Sequence, residues 1–255
     1  KIAGTEKAFV KLMNDKAKNL GLKNTNFVNA TGLDAEGHYS SAYDMSVMAR
    51  ELLKHEKILD FTRVYEEYLT KPDGSQIWLV NTNKLVRFYD GVDGLKTGFT
   101  QNAGYCLTAT GKKNNLRLIS VVMGEESIEK RSSDTVKLLN YGFNTFKVNL
   151  IKNKSEILGK VNVQKGKKEN VDVVLVNDLI ELLNASDKPS NYKFKILVDK
   201  ITAPVKKGDV IGKVKVLNDN GILISEVDIT VNENVLKANL WDLFKRNLKY
   251  NLVWN

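Results

Sequence analysis

The sequence predicts an α+β protein in two parts: antiparallel strands with helices first, then a small all-β unit. Three observations predict it. Strand-like runs at roughly 92–99, 104–111 and 116–123 follow one another with short turns between them, an antiparallel meander flanked by stretches of helical periodicity. Composition changes near residue 148, beyond which short β-branched runs alternate with Lys-Gly, Asn-Asp and Asp-Asn-Gly turns. Helical periodicity then returns over 236–255. The expected divisions are 1–148, 149–235 and 236–255, and the 255 residues suffice for two moderate domains.

Residues 5–21 read as a helix that Thr5 caps and Gly21 stops, with Ala8, Phe9, Leu12, Met13, Ala17 and Leu20 on one stripe. A loop rich in Asn, Gly and Thr covers 22–39. Ser41 with Asp44 is a capping-box-like start to a second helix, whose inner face is Met45, Met48, Ala49, Leu52 and Leu53. Residues 61–90 read as paired strands, with Pro72-Asp73-Gly74 turning between Tyr65–Thr70 and Gln76–Val80. A helix over 127–140 follows the meander, burying Leu138 and Leu139 and closing near Gly142. Between 149 and 235 the one helical signal is a turn at Asp178–Leu183. An internal echo, Ile157–Val163 against Val210–Val216, suggests paired glycine-lysine strands in a small β-sandwich.

Charge and cysteine content narrow the classes. A net charge of +9 suits anionic surroundings, whether nucleic acid, lipid or wall polymer, but no nucleic-acid recognition motif accompanies it. Cys106 is the only cysteine, which excludes an intrachain disulfide and a cysteine-built metal site; it reads as an inert core thiol. His38 and His55 lack metal-ligand spacing, and no cofactor is implied. The final stretch carries Lys237, Lys245, Arg246 and Lys249 against Asp242 alone. Leu240, Trp241, Phe244, Leu248 and Leu252 fall on one side of it, the pattern of a basic interfacial membrane helix; a helix docked on its own protein is the alternative. The chain opens on Lys without a signal-like segment and reads as a piece of something longer.

The chemistry-bearing stretch is Gly91–Thr100. Lys96 places a cation beside the Thr97 hydroxyl. Neighbouring strand residues point to opposite faces, so both reach one site only if the strand is an edge whose rim faces a cleft. Gly98 would leave room for the close approach of a ligand or another backbone. A hairpin strand ending in lysine with a glycine bulge is the plainer account of Lys-Thr-Gly alone. Arg131, by itself, reads as a solvated helix charge.

Longer motifs extend the pattern: Gly32-Leu33-Asp34, Tyr39–Asp44, Asn81–Leu85, Gly91–Gly98, Ala103-Gly104-Tyr105 and Arg117–Gly124. In this order and density, the run from Asn26 to Phe143 resembles the D-alanyl-D-alanine carboxypeptidases, the low-molecular-mass penicillin-binding proteins of the serine-type peptidase S11 family. The β-rich region and basic tail are similar to that family's C-terminal domain and membrane anchor. The resemblance implies a β-lactamase/transpeptidase-like domain and an acyl-enzyme that trims the terminal D-alanine of peptidoglycan stem peptides and is also acylated by β-lactams. It implies that Lys96, Thr97, Gly98 and Arg131 bind substrate, that a buried Lys96 also stabilises developing charge, and that Trp241, Phe244, Lys245, Arg246 and Leu248 contact an anionic membrane from the extracytoplasmic side.

Two departures matter. Phe99 stands where the family often has His. The only Ser-x-x-Lys pairs, Ser127–Lys130 and Ser190–Lys193, follow Lys-Thr-Gly instead of preceding it, and Ser-x-Asn does not occur. The resemblance therefore implies a chain that begins just past both motifs, without the first strands of its central sheet, and that is inactive alone. Its own N-terminal fragment is among the implied partners. A β-lactamase and a non-catalytic wall-binding scaffold are the competing readings.

Overall fold

The computed structural model describes residues 2–245. The chain divides into two compact units, Lys1–Phe146 and Lys147–Asn255. Helices and antiparallel sheet make up the first and strands the second, the α+β class the sequence predicts.

In the first unit, α1 (Glu6–Asn19) starts where the Thr5 hydroxyl accepts the Ala8 N–H at 3.2 Å. Only Ala17 of its apolar stripe is buried, and Leu12 is 51% exposed. The loop beyond is tied back by Asn14, whose amide donates to the Phe27 carbonyl and accepts from its N–H, both at 2.8 Å. α2 (Ala42–Leu52) is capped by Ser41, but Asp44 does not close the expected box. Its carboxylate, 1% exposed, instead accepts the Asn24 N–H and the Thr25 hydroxyl, both at 2.8 Å. The acid therefore anchors the preceding loop, and Leu52 faces solvent.

Residues 61–90 are only partly strand. A short 3-10 turn (Glu56–Ile58) and α3 (Leu59–Thr62) lead into a hairpin, β1 (Glu66–Thr70) with β2 (Gln76–Val80), and α4 (Leu85–Phe88) follows. The hairpin turn is as expected, with Asp73 accepting from the Ser75 N–H and hydroxyl. Then β3 (Val92–Thr100), β4 (Gly104–Lys113) and β5 (Leu116–Glu125) form the predicted meander, in the order β3-β4-β5. Central β4 is buried on both faces from Leu107 to Thr110, so its pattern is continuous instead of alternating.

α5 (Ile128–Thr145) packs on β4 and β5. Leu139 is fully buried among Leu85, Val92, Leu107 and Ala109, whereas Leu138 is 48% exposed. Gly142 lies near the helix end, as expected. A Cβ there would lie 2.4 Å from Leu118 Cδ1, so the glycine admits β5 close to the helix.

Among the described residues the second unit has eight strands: β6 (Phe146–Lys152), β7 (Ile157–Gln164), β8 (Asn170–Leu175), β9 (Leu179–Asn184), β10 (Lys193–Val198), β11 (Ile201–Thr202), β12 (Val210–Leu217) and β13 (Leu223–Val231). Six form one sheet, ordered β10-β12-β13-β8-β7-β11, and β6 pairs with β9. Leu179 joins Val173, Val214, Ile229 and Val231 in one core. The helical turn expected at 178–183 is strand β9, because Leu179 and Glu181 face inward and Ile180 and Leu182 outward, a period of two. The echoed segments are β7 and β12. Each carries a register shift at its glycine, between Ile157 and Gly159 and between Val210 and Gly212.

Asn239 caps a helical turn at 240–245, exchanging bonds with Asp242 at 3.0 and 2.7 Å. Trp241 and Phe244 stack at 5.5 Å, both largely exposed, and the Lys245 ammonium lies 5.4 Å from the Trp241 ring centre. Arg246 and Leu248 lie outside the described residues. Among the described residues no helix is long and apolar enough to cross a membrane.

Candidate active-site groove

A groove of about 590 Å³ runs along the free edge of β3, bounded by the end of β2, the loop 81–84 and the first turn of α5. Two asparagines fix the loop. The Asn81 amide donates to the Thr62 and Val64 carbonyls at 3.1 and 2.9 Å, and its Oδ1 accepts the Asn83 N–H. The Asn83 side chain, 3% exposed, donates to the Gly94 carbonyl of β3 at 3.2 Å and accepts the Leu85 N–H, starting α4. With both neighbours clamped, Thr82 faces β3, and its Oγ1 lies 2.7 Å from Thr97 Oγ1.

Lys96, Thr97, Gly98 and Arg131 all line this one groove. Lys96 and Thr97 share it despite strand alternation because β3 is an edge. Contrary to the buried cation the resemblance implies, Lys96 is exposed. Its ammonium donates to the Thr97 carbonyl, and among the described residues no carboxylate lies within ion-pairing distance of it. An edge strand has no sheet neighbour on that side to cover the lysine. At Gly98 a Cβ would meet nothing within 4 Å, so the open space there lies toward the groove, with no packing demand from this chain.

Arg131 departs from a solvated helix charge. It is 4% exposed, its Nη2 donates to the Thr82 carbonyl at 3.2 Å, and its buried Nε has no partner. Burial pushes the guanidinium below its ordinary value, partly offset by neighbouring Cys106, Tyr105 and Glu129. Lys84 adds a third cation, and among the described residues no carboxylate lines the groove. The opposite quality comes from Val80, Phe99, Tyr105 and Ile128, with the Phe99 and Tyr105 rings 4.3 Å apart. Cys106 is half-buried and its thiol rests on the Ala103 and Gly104 carbonyls, so it is no core thiol.

The groove can hold a carboxylate between a hydroxyl and a guanidinium, and an extended backbone along β3. Among the described residues it offers no activated nucleophile. The Ser127 hydroxyl caps α5 by accepting the Lys130 N–H, and Lys130 pairs with Asp134 at 3.5 Å. That Ser-x-x-Lys is a helix start, and Ser190 lies in the second unit. His38 accepts the Val28 N–H. Sequence reading missed Thr82 as a site residue; the legible signal was a threonine between two asparagines just ahead of a helix.

Upstream of the groove, Asp93 holds β3 in place. Its carboxylate takes both Arg117 nitrogens at 2.8 Å, and its carbonyl accepts the Thr62 hydroxyl at 2.7 Å. Such a bidentate pair fixes geometry more firmly than a single contact.

Residues 1–127 match the family model "D-alanyl-D-alanine carboxypeptidase" and residues 146–237 match "Penicillin-binding protein 5, C-terminal domain". The chain is 43% identical over 248 residues to D-alanyl-D-alanine carboxypeptidase DacF of Bacillus subtilis, covering 97% of this chain and 64% of the relative. It thus spans less than two thirds of that relative's length. Among solved structures, penicillin binding protein 5 from Haemophilus influenzae is similar with a TM-score of 0.62 at 32% identity, over 90% of this chain and 66% of the other. A peptidoglycan synthesis regulatory factor (PBP3) from Streptococcus pneumoniae gives a TM-score of 0.67 at 26% identity, over 92% and 71%. By sequence across both units and by fold, the chain belongs to the D-alanyl-D-alanine carboxypeptidase family.

Proposed function

We propose that this chain supplies the substrate-holding wall and the second domain of a serine-type D-Ala-D-Ala carboxypeptidase that trims peptidoglycan stem peptides. The observation that carries the reading is the convergence of Lys96, Thr97 and Arg131 on one acid-free groove along an edge strand. The extended stem peptide adds a strand to β3, its backbone close to Gly98. Its terminal carboxylate sits between the Thr97 hydroxyl and the Arg131 guanidinium. Lys96 supplies positive potential where negative charge develops at the reacting carbonyl. The attacking serine and its base belong to the segment upstream of Lys1. Attack forms the acyl-enzyme and releases D-alanine, and water then hydrolyses the ester.

Labelled penicillin tests this. The complete gene product should be acylated at a serine upstream of Lys1, and the 255-residue chain should not be labelled. Labelling of a serine within this chain, or none in the complete product, overturns the reading; the latter, with no upstream Ser-x-x-Lys, selects the scaffold alternative. We assign the protein to the outer face of the cytoplasmic membrane, held by the tail that begins with the exposed Trp241, Phe244 and Lys245. Deleting 236–255 should release it from anionic vesicles; unchanged binding refutes the anchor.

A further inference from the structure

We infer that Thr82 is the positioning residue for terminal-carboxylate recognition, acting through both groups that grip the carboxylate. The inference rests on the carboxylate reading above. Two hydrogen bonds converge on this one residue. Its hydroxyl lies 2.7 Å from the Thr97 hydroxyl, and its carbonyl accepts from Arg131 Nη2 at 3.2 Å. No other hydrogen bond to the Arg131 side chain is present among the described residues, and its buried Nε has none.

The direction of the hydroxyl pair follows from proton counting. Each threonine has one O–H to donate and lone pairs to accept. When Thr97 donates to a carboxylate, its proton is committed, and the short contact to Thr82 survives only if Thr82 donates to Thr97 Oγ1. A hydroxyl that receives a hydrogen bond is a better donor to an anion, because the two bonds polarise each other. Thr82 thereby fixes the Thr97 rotamer and strengthens its bond to the carboxylate. Its carbonyl holds the guanidinium at the same site. The clamp on Asn81 and Asn83 gives this residue a fixed backbone from which to act. Thr82 need not touch the substrate.

The test uses the complete gene product and two peptides, one ending in D-Ala-D-Ala with a free carboxylate and the same peptide as its C-terminal amide. KM and kcat are measured for the parent, Thr82→Val and Thr82→Ser, with melting temperature as a fold control. Valine keeps the shape and removes the hydroxyl; serine keeps the hydroxyl. The expected result is a rise of about tenfold in KM for the free acid in Thr82→Val, the scale of one hydrogen bond to a charged group. KM for the amide should stay unchanged, and Thr82→Ser should restore most of the loss. Equal losses on acid and amide, a drop in melting temperature that accounts for the loss, or an unchanged KM in Thr82→Val would each overturn the role of Thr82. A parent enzyme that processes acid and amide equally would instead sink the carboxylate reading beneath it.

Discussion

Replacing Arg131 with methionine separates a binding residue from a structural one. The guanidinium is 4% exposed, with one hydrogen bond and an unpartnered Nε. Leaving a buried donor unsatisfied costs about 1–3 kcal/mol. The single bond to Thr82, at 3.2 Å, returns about 1.5 kcal/mol. Methionine fills similar space without either contribution, so Arg131→Met should change stability by about −0.5 to +1.5 kcal/mol. Breaking a buried pair by removing one partner would instead lose about 3–5 kcal/mol. For a domain of this size each kcal/mol moves the melting temperature by about 2–4 °C. The variant of the complete gene product should therefore melt between about 2 °C below and about 6 °C above its parent. Its kcat/KM on the free-acid peptide should fall about a hundredfold, the scale of truncating one side of a buried charge pair. Scanning calorimetry and peptide hydrolysis read the two effects. A melting temperature lowered by more than about 6 °C would show that the arginine is structural and refute the argument.

The other predictions concern β3 and the second unit. Gly98→Ala adds a methyl into open space, so stability should hold or rise by about 0.5–1 kcal/mol while kcat/KM drops about tenfold; full activity would refute a peptide backbone running past this residue. The Tyr192 phenol, half-buried and donating to the buried Glu181 at 2.5 Å, is pushed up to about 12, first by burial and then by that carboxylate. Its pKa is raised on folding, so its contribution is complete below about pH 10 and is lost as pH rises from 10 to 12. Melting temperature should fall over that window less steeply in Tyr192→Phe than in the parent; parallel curves would refute the assignment.

Legibility in the sequence tracked the range of the interaction. The meander and the Asp73-Gly74 turn were plain because hairpins use local turn chemistry and a period of two. The Gly159 and Gly212 echo was legible as a repeat, and its structural meaning is a pair of bulged strands. Strand β9 was misread because an inward glutamate in Leu-Ile-Glu-Leu-Leu imitates an amphipathic helix. Only the partner strand and Tyr192 make Glu181 an interior residue. Asp44 matched a capping motif by spacing, but its carboxylate was taken by a loop twenty residues upstream.

The site followed the same division. Residue order alone determined that Lys96, Thr97 and Gly98 occupy a strand, and that Arg131 starts a helix some thirty residues later. Chain spacing is silent about distance in space, so only the tertiary structure decided that β3 is an edge, that Lys96 stays exposed while Arg131 is buried, and that Thr82 joins the two halves. Strand edges, burial and cross-chain hydrogen bonds are set by which surfaces meet after folding, and no local pattern of side chains encodes them.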